Sequence, residues 1–151
     1  MLITNHVLSG ALLGLTAPTP ASAAARGFVS HFVLDALPHF GVDEEHLMKI
    51  AVPDGLLGLA AIGLVLRSAP PADRLRVAAG VFGACLPDLD KPGQQFFGRS
   101  PFPRWFDRAH GRIQREATHR WLVEIGAATA FGTAFARYVA GSGRGRLITR
   151  G

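Results

Sequence analysis

The sequence contains one cysteine, Cys85, so a disulfide scaffold and a zinc ribbon are excluded. Charged residues make up only 18% of the 151 residues, against about 25% in an ordinary soluble domain. Hydrophobic residues reach 48%, which excludes a disordered chain. Internal repeats are absent, and no apolar run reaches the roughly 20 residues of an unambiguous membrane span. The chain is therefore one apolar domain.

Charge is divided unevenly along the chain. The net charge is +5, but residues 1–66 carry two basic and five acidic residues, whereas the remainder carries fourteen basic and six acidic residues. The basic second half is compatible with a nucleic acid or a regulator protein as partner, and nucleic-acid binding of this kind would depend strongly on salt. The apolar composition speaks against nucleic acid.

Small residues recur four positions apart within the apolar runs, at Gly10 and Gly14, at Ala79 and Gly83, and at 126 and 130. Such pairs let helices approach closely and are common in membrane bundles. They are equally compatible with a tightly packed, alanine-rich soluble core. We expect a membrane-embedded or membrane-attached bundle, with membrane lipid as a partner.

The hydrophobic pattern predicts an all-α fold, because no run of β-branched or aromatic residues alternates with period two. We expect an up-and-down bundle of about five helices, plus a short amphipathic helix over 104–116. The long helices are predicted at about 5–17, 21–37, 44–66, 72–86 and 118–140, with a loop over 88–103. Residues 1–140 then form a single helical domain, and residues 141–151 form a flexible basic tail.

Short connections make neighbouring helices antiparallel, and this topology brings most His and Asp residues to one end of the bundle. The residues expected at that end are His6, His31, Asp35, His39, Asp54, Asp88, Asp90, His110 and His119. The sequence therefore predicts a polar layer inside an otherwise apolar protein.

The composition of this layer indicates a divalent metal site. His31 and Asp35 are four residues apart and share a helix face, and imidazole with carboxylate suits zinc, manganese or iron. Asp35 and Asp54 lie among apolar residues, where an unpaired carboxylate costs several kcal/mol. Only two basic residues occur in the first 66, so a metal is the simpler counter-charge. We expect zinc, with manganese or iron as alternatives, as one or two ions.

The amphipathic segment 104–116 carries arginines spaced three and four residues apart. This pattern fits a membrane interface, nucleic-acid phosphate or a solvated face. We expect Arg108 and Arg112 to bind a phosphate-bearing substrate, and His110 to act in catalysis or to complete the metal shell. His119 is the alternative to His110.

Four motifs resemble the bacterial membrane-bound, metal-dependent hydrolases that are also described as LexA-binding, inner-membrane-associated hydrolases. They are Thr-Asn-His-Val-Leu-Ser-Gly, Ser-His-Phe-Val-Leu-Asp-Ala-Leu-Pro-His, Pro-Asp-Gly and Gly-Ala-Cys-Leu-Pro-Asp-Leu-Asp, within residues 3–125. The resemblance implies a helical fold and a His/Asp pattern at His6, His31, Asp35, Asp54, Asp88 and Asp90. It leaves open whether His110 or His119 matches. The helix with His31 and Asp35 also resembles, more loosely, the ligand helix of zinc-dependent phospholipase C and P1-type nucleases.

The residues and the resemblance together predict a metal-dependent hydrolase of a phosphoester, with a phospholipid as one candidate. His6, His31, Asp35, Asp54 and Asp88 would bind metal, and Asp90 and His110 would be catalytic, with Asp90 as general base. The resemblance implies a bacterial inner-membrane location, whose orientation the sequence leaves open together with the oligomeric state. The alternative is a non-catalytic membrane protein whose polar layer is structural or binds metal, lipid or a partner.

Overall fold

The structure, a computed structural model, describes residues 1–148. Within that range it is all-α, as predicted, with seven α-helices and one pair of two-residue strands. The helices are α1 (Ile3–Thr16), α2 (Pro20–Ala36), α3 (Glu44–Ser68), α4 (Arg74–Cys85), α5 (Asp90–Phe97), α6 (Arg104–Ile113) and α7 (Trp121–Ile148). Single 3-10 turns at Pro71–Asp73, Pro87–Leu89 and Thr118–Arg120 lead into α4, α5 and α7.

Local sequence signals explain the starts of the second and third helices. Thr19 caps α2 by accepting a hydrogen bond from the Ser22 amide, while the Ser22 hydroxyl accepts one from the Thr19 amide. Asp43 caps α3 in the same way through the His46 amide. Pro53 lies inside α3, which continues through it. The predicted boundaries of these helices are therefore close to those observed.

α1 lies at the centre of the fold and packs against α2, α3, α4 and α7. Its residues Val7, Ala11 and Leu15, four apart, form one buried face. The apolar core around this face consists of Val7, Ala11, Leu15, Val65, Ala69, Val77, Val81 and Phe135. The core therefore lies along α1 on the C-terminal side of His6.

Glycines allow α1, α2 and α4 to approach at backbone distance. A Cβ on Gly80 would collide with the Gly10 carbonyl of α1, and a Cβ on Gly83 would collide with the Ala24 carbonyl of α2. The predicted small-residue contacts are thus present at Gly10, Gly14 and Gly83, whereas Gly126 has open space around it. Close approach of these three helices brings their polar residues within reach of one another.

The predicted loop over 88–103 is wrong in its first half, where α5 spans Asp90–Phe97. Pro92 lies in the first turn of α5, where a missing amide hydrogen costs nothing, and Gly98 ends it with φ 66°. Proline and glycine therefore mark the start and the end of a short helix here. Because α5 was missed, the count of five long helices and one amphipathic helix was low.

Two further features differ from the prediction. The strands β1 (Pro38–His39) and β2 (Arg115–Glu116) pair in parallel, with His39 opposite Glu116. Two-residue strands have no pattern that a sequence could reveal. The last helix continues to Ile148, past the predicted end at 140, since no proline interrupts it; residues 149–151 of the predicted tail lie outside the described residues.

Candidate metal centre

Four buried side chains meet at the end of the bundle that contains His6. His31 and Asp35 come from α2, Asp88 comes from the turn before α5, and His110 comes from α6. One donor atom from each lies within 4.8 Å of the other three, and all four residues are buried. The structure thus contains the predicted polar layer, and these four residues could together hold a metal ion.

Local features of the sequence position these four side chains. One helical turn separates His31 from Asp35, so that both project from the same face of α2. Pro87 follows the end of α4 and begins the turn that carries Asp88. His110 is the one buried residue of α6, whose other residues are half-buried or exposed.

Asp35 lies at the centre of the group. Its Oδ2 atom is 3.2 Å from His31 Nε2 and 3.2 Å from His110 Nε2. Its Oδ1 atom is 3.2 Å from His6 Nε2 and 2.7 Å from the Met1 nitrogen. The two oxygens therefore face different histidines.

Asp88 repeats this division at longer range. Its Oδ1 atom lies 3.9 Å from His31 Nε2 and 3.8 Å from His110 Nε2, and its Oδ2 atom lies 4.0 Å from His6 Nε2. Each of the two carboxylates thus presents one oxygen to the pair His31 and His110, and the other oxygen to His6.

The outer nitrogens of His31 and His110 are engaged as in metal-binding histidines. His31 Nδ1 lies 2.8 Å from the Ala84 carbonyl, and His110 Nδ1 lies 3.1 Å from Asp90 Oδ2. Because these acceptors hold a proton on each Nδ1, the Nε2 atoms are directed inward, 2.9 Å apart. Two imidazoles and two carboxylates, so oriented, fit a divalent ion such as zinc.

His6 is fully buried and stacks on His31 with ring centroids 4.1 Å apart. Neither of its ring nitrogens has a partner with hydrogen-bond geometry, although Nε2 faces Asp35 and Asp88. Buried nitrogens of this kind are costly unless something binds them. His6 and the second oxygens of the two aspartates are thus a donor set for a second ion.

The pKa values of Asp35, Asp88 and His110 differ from the ordinary values of these groups. Burial opposes ionisation of Asp35, but the imidazoles of His110, His31 and His6, each with a nitrogen 3.2 Å from a carboxylate oxygen, hold the pKa of that carboxyl well below its usual value. Burial also opposes ionisation of Asp88, and nearby Lys91 lowers the pKa of Asp88. Burial alone would lower the pKa of His110, but hydrogen bonds to Asp35 and Asp90 raise it to about 9. The layer therefore contains ionised carboxylates and a protonated imidazole.

Aromatic rings close one side of the group. Phe32 lies 5.4 Å from His31 and 5.8 Å from His110, between ring centroids, and Phe106 lies 6.2 Å from His110. These rings exclude water from that side, and a lower local dielectric strengthens each charge–charge contact within the group.

Asp54 was predicted as a metal ligand, but the structure does not bring it into the group. Its carboxylate accepts hydrogen bonds from the Ile3 amide at 2.6 Å, the Thr4 hydroxyl at 2.7 Å and the Thr4 amide at 3.3 Å. These donors lie in the first turn of α1, whose amides have no partner within the helix. Asp54 therefore holds the start of α1 in place.

The three residues predicted to act in catalysis or substrate binding beside His110 lie in two different places. Asp90 is buried in the polar layer, as expected, and contacts the outer nitrogen of His110, which orients this histidine. Its role as general base stays a prediction. Arg108 and Arg112 are exposed, and each lies two residues from His110, which turns them to the opposite side of α6. His119 is exposed as well, so His110 is the histidine that joins the group.

Three polar residues that the sequence analysis did not single out make contacts at or near this end of the bundle. Lys91 Nζ lies 2.7 Å from Asp88 Oδ1, and the Gln114 side-chain amide lies 3.4 Å from Asp35 Oδ2 and 3.3 Å from His110 Nε2. Glu124 is buried on α7 and accepts hydrogen bonds from the Asn5 side chain and the Phe40 amide. Sequence spacing could have revealed Lys91 and Gln114, because Lys91 follows Asp88 by three residues and Gln114 follows His110 by four. Glu124 could have been noticed because it is a lone acidic residue within a predicted apolar helix.

Comparisons of the chain with protein families, with curated proteins and with solved structures find no match. The resemblance to membrane-bound metal-dependent hydrolases therefore stays a prediction.

Proposed function

We propose that the protein is a membrane-associated, metal-dependent hydrolase of phosphoesters. The proposal is supported above all by one observation: His31, Asp35, Asp88 and His110 place a donor atom each within 4.8 Å of the others in a buried position. A structural role alone does not require two imidazoles with their outer nitrogens engaged and their inner nitrogens turned toward two carboxylates.

The donor set suits zinc, and manganese or iron would accept the same ligands. A divalent ion bound there supplies a Lewis acid for a phosphoryl oxygen and lowers the pKa of a coordinated water toward 7. His6 with Asp35 Oδ1 and Asp88 Oδ2 would hold the second ion of a two-metal site, since the aspartates divide their oxygens between the two sides.

The chain's own residues have distinct parts in this proposal. Asp35 and Asp88 carry the negative charge that holds cations in the layer. Asp90 fixes the ring orientation of His110 through its outer nitrogen. Lys91 provides a side-chain positive charge next to the group and would bind a substrate phosphate, the part that the sequence assigned to Arg108 and Arg112.

Association with a membrane is supported by α3. Residues Glu45–Ser68 are long and apolar enough to cross a bilayer, with mean hydropathy 1.8 over the best window, and only 17% of that window is buried in the protein. No other helix of the described residues meets these criteria. Exposed apolar side chains on α3 include Val52, Leu56, Leu57, Leu59 and Leu64. Such a surface is typical of contact with lipid or with another protein.

The first test is the metal content of protein purified without added metal or chelator. We expect one or two equivalents of zinc, manganese or iron in the wild type, and none in the double variant His31→Ala/Asp35→Ala. His119→Ala, which removes an exposed histidine, should keep the full metal content. The metal-bound wild type should then hydrolyse bis(p-nitrophenyl) phosphate, and the double variant should not.

The alternative is a non-catalytic membrane protein, and one observation favours it. Asp35 already contacts three imidazoles and the Met1 nitrogen, so a metal-free layer could persist as an internal salt-bridge network. This alternative predicts a folded wild type without metal whose melting temperature does not change when zinc, manganese or iron is added. That result would overturn the hydrolase proposal.

A further inference from the structure

A second feature lies beside the candidate metal centre. A cavity of about 640 Å³ opens between the start of α1, one side of α3, and α5. Its walls are mostly apolar and include Ile3, Val7, Met48, Val52, Ile62 and Phe96. Asp88 and Lys91, which lie beside the candidate metal centre, also line it. We call this cavity the α3–α5 cleft.

The size and lining of the cleft are those of a ligand site. Small-molecule sites in proteins typically measure about 300 to 1,000 Å³ and combine apolar walls with a few polar groups. The α3 residues that line the α3–α5 cleft between Leu47 and Ile62 are apolar except for Asp54, whose carboxylate is already hydrogen-bonded to Ile3 and Thr4. The other charged lining residues are Asp88 and Lys91, beside the metal centre, and Glu116. A ligand that matches this lining has a charged end beside the metal centre and a long apolar part along α3.

We propose that the α3–α5 cleft binds the acyl chain of a phosphate-bearing lipid, with the phosphate at Lys91 beside the candidate metal centre. The Lys91 side chain is 40% exposed, although its ammonium group lies 2.7 Å from Asp88. It can therefore contact a ligand in the cleft and the metal centre at the same time. This inference rests on the proposed phosphoester hydrolase and names the class of its substrate.

The position of α3 supports a lipid as the occupant. The same helix that forms the apolar wall is the one candidate span of the described residues, and its outer side is covered with exposed leucines. A cleft whose wall is a lipid-facing helix can receive a chain sideways from the bilayer, without passage of that chain through water. A water-soluble phosphoester would gain nothing from this apolar wall.

Two glycines of α3 allow a matched test. Gly55 lines the cleft, and a Cβ built on it meets nothing within 4 Å. Gly63 has equally open surroundings but does not line the cleft. Gly55→Phe therefore fills the cleft, while Gly63→Phe makes the same change in helix propensity and side-chain volume outside it.

The probe is monomeric palmitoyl lysophosphatidate, and binding is measured by calorimetry on metal-free protein held in an amphipathic polymer. Glycerol 3-phosphate and monopalmitoyl glycerol serve as ligands without the chain and without the phosphate. We expect lysophosphatidate to bind at least 100-fold more tightly than glycerol 3-phosphate. Gly55→Phe should weaken this binding at least tenfold, and Gly63→Phe should leave it within twofold. Lys91→Met should reduce the affinity for lysophosphatidate to that for monopalmitoyl glycerol.

Equal binding by the Gly55 and Gly63 variants would overturn the inference, as would equal affinity for lysophosphatidate and glycerol 3-phosphate. Because the assay uses metal-free protein, its result is independent of metal content and hydrolysis. Failure of the proposed function would appear as an absence of metal or of hydrolysis of the short, water-soluble ester. Failure of the lipid inference would appear in binding alone.

Discussion

His31 and His110 direct their Nε2 atoms at each other across 2.9 Å, although 79 residues separate them in the chain. Both outer nitrogens already donate to oxygen acceptors, Ala84 and Asp90. Two facing nitrogens at this distance need a proton or a cation between them, because two lone pairs would repel. The raised pKa of His110 agrees with a proton there in the metal-free protein.

This arrangement predicts competition between protons and metal. With its pKa raised to about 9, His110 is protonated at neutral pH, and a metal must displace that proton. Zinc affinity should therefore rise about tenfold per pH unit between pH 7 and 9, and calorimetry in buffers of different ionisation enthalpy should detect about one proton released per ion bound. An affinity that does not change over this range would contradict the prediction.

The same group sets the pH dependence of stability in the metal-free protein. A histidine whose pKa rises from 6.5 to about 9 on folding contributes stability that is complete below pH 6.5 and is lost as the pH rises through 9. The loss should be about 3 kcal/mol, measured by urea unfolding at pH 6.5 and pH 9.5. In His110→Gln this difference should be largely absent. Equal pH dependence in that variant and in the wild type would assign the effect to another group.

Asp90→Asn tests whether Asp90 acts through His110. It should lower metal affinity 10- to 100-fold while leaving the number of bound ions unchanged, because the ligands remain and only the outer contact of His110 weakens. Asp107→Asn is the matched control, since Asp107 lies on α6 but accepts its hydrogen bond from Ser100. Complete loss of metal in Asp90→Asn would instead make Asp90 a direct ligand.

Asp54→Ala tests whether Asp54 is a metal ligand or a residue that holds the start of α1 in place. It removes the acceptor of three hydrogen bonds at the start of α1, and we expect the free energy of unfolding to fall by about 2 kcal/mol. Metal content should stay at the wild-type value. Asp73→Ala, which removes a partly exposed ion pair with Arg76, should cost less than about 1 kcal/mol. Loss of metal from folded Asp54→Ala would restore its predicted role as a ligand.

Gly83→Ala tests the close approach of α4 and α2. Its Cβ would collide with the Ala24 backbone, so α4 must move, at a cost of about 1 to 3 kcal/mol or more. We expect weaker metal binding as well, because His31 on α2 is held by the Ala84 carbonyl of α4. Gly126→Ala, in open space on α7, should stabilise the protein by about 0.5 to 1 kcal/mol. Thermal unfolding with and without zinc measures both effects, and similar stabilities for the two variants would contradict the packing argument.

The sequence by itself determined the helical fold and the end of the bundle at which the polar residues meet. Helix length and apolar periodicity fix where helices begin and end, and short connections fix their alternating direction. His31 and Asp35 therefore had to share a face of α2, and His6 had to lie at the same end of the bundle. The short helix α5 was missed because its Pro92 and Gly98 also suit a loop.

Only the tertiary structure decided which carboxylates join the histidines. Asp35 and Asp54 look alike in sequence, since each is an acidic residue within an apolar helix. Asp35 contacts three imidazoles, whereas Asp54 contacts the first amides of α1. The difference depends on how far each helix is shifted along its neighbours. That shift is set by backbone contacts such as those at Gly80 and Gly83, which connect residues far apart in the chain and leave no periodic pattern in the sequence.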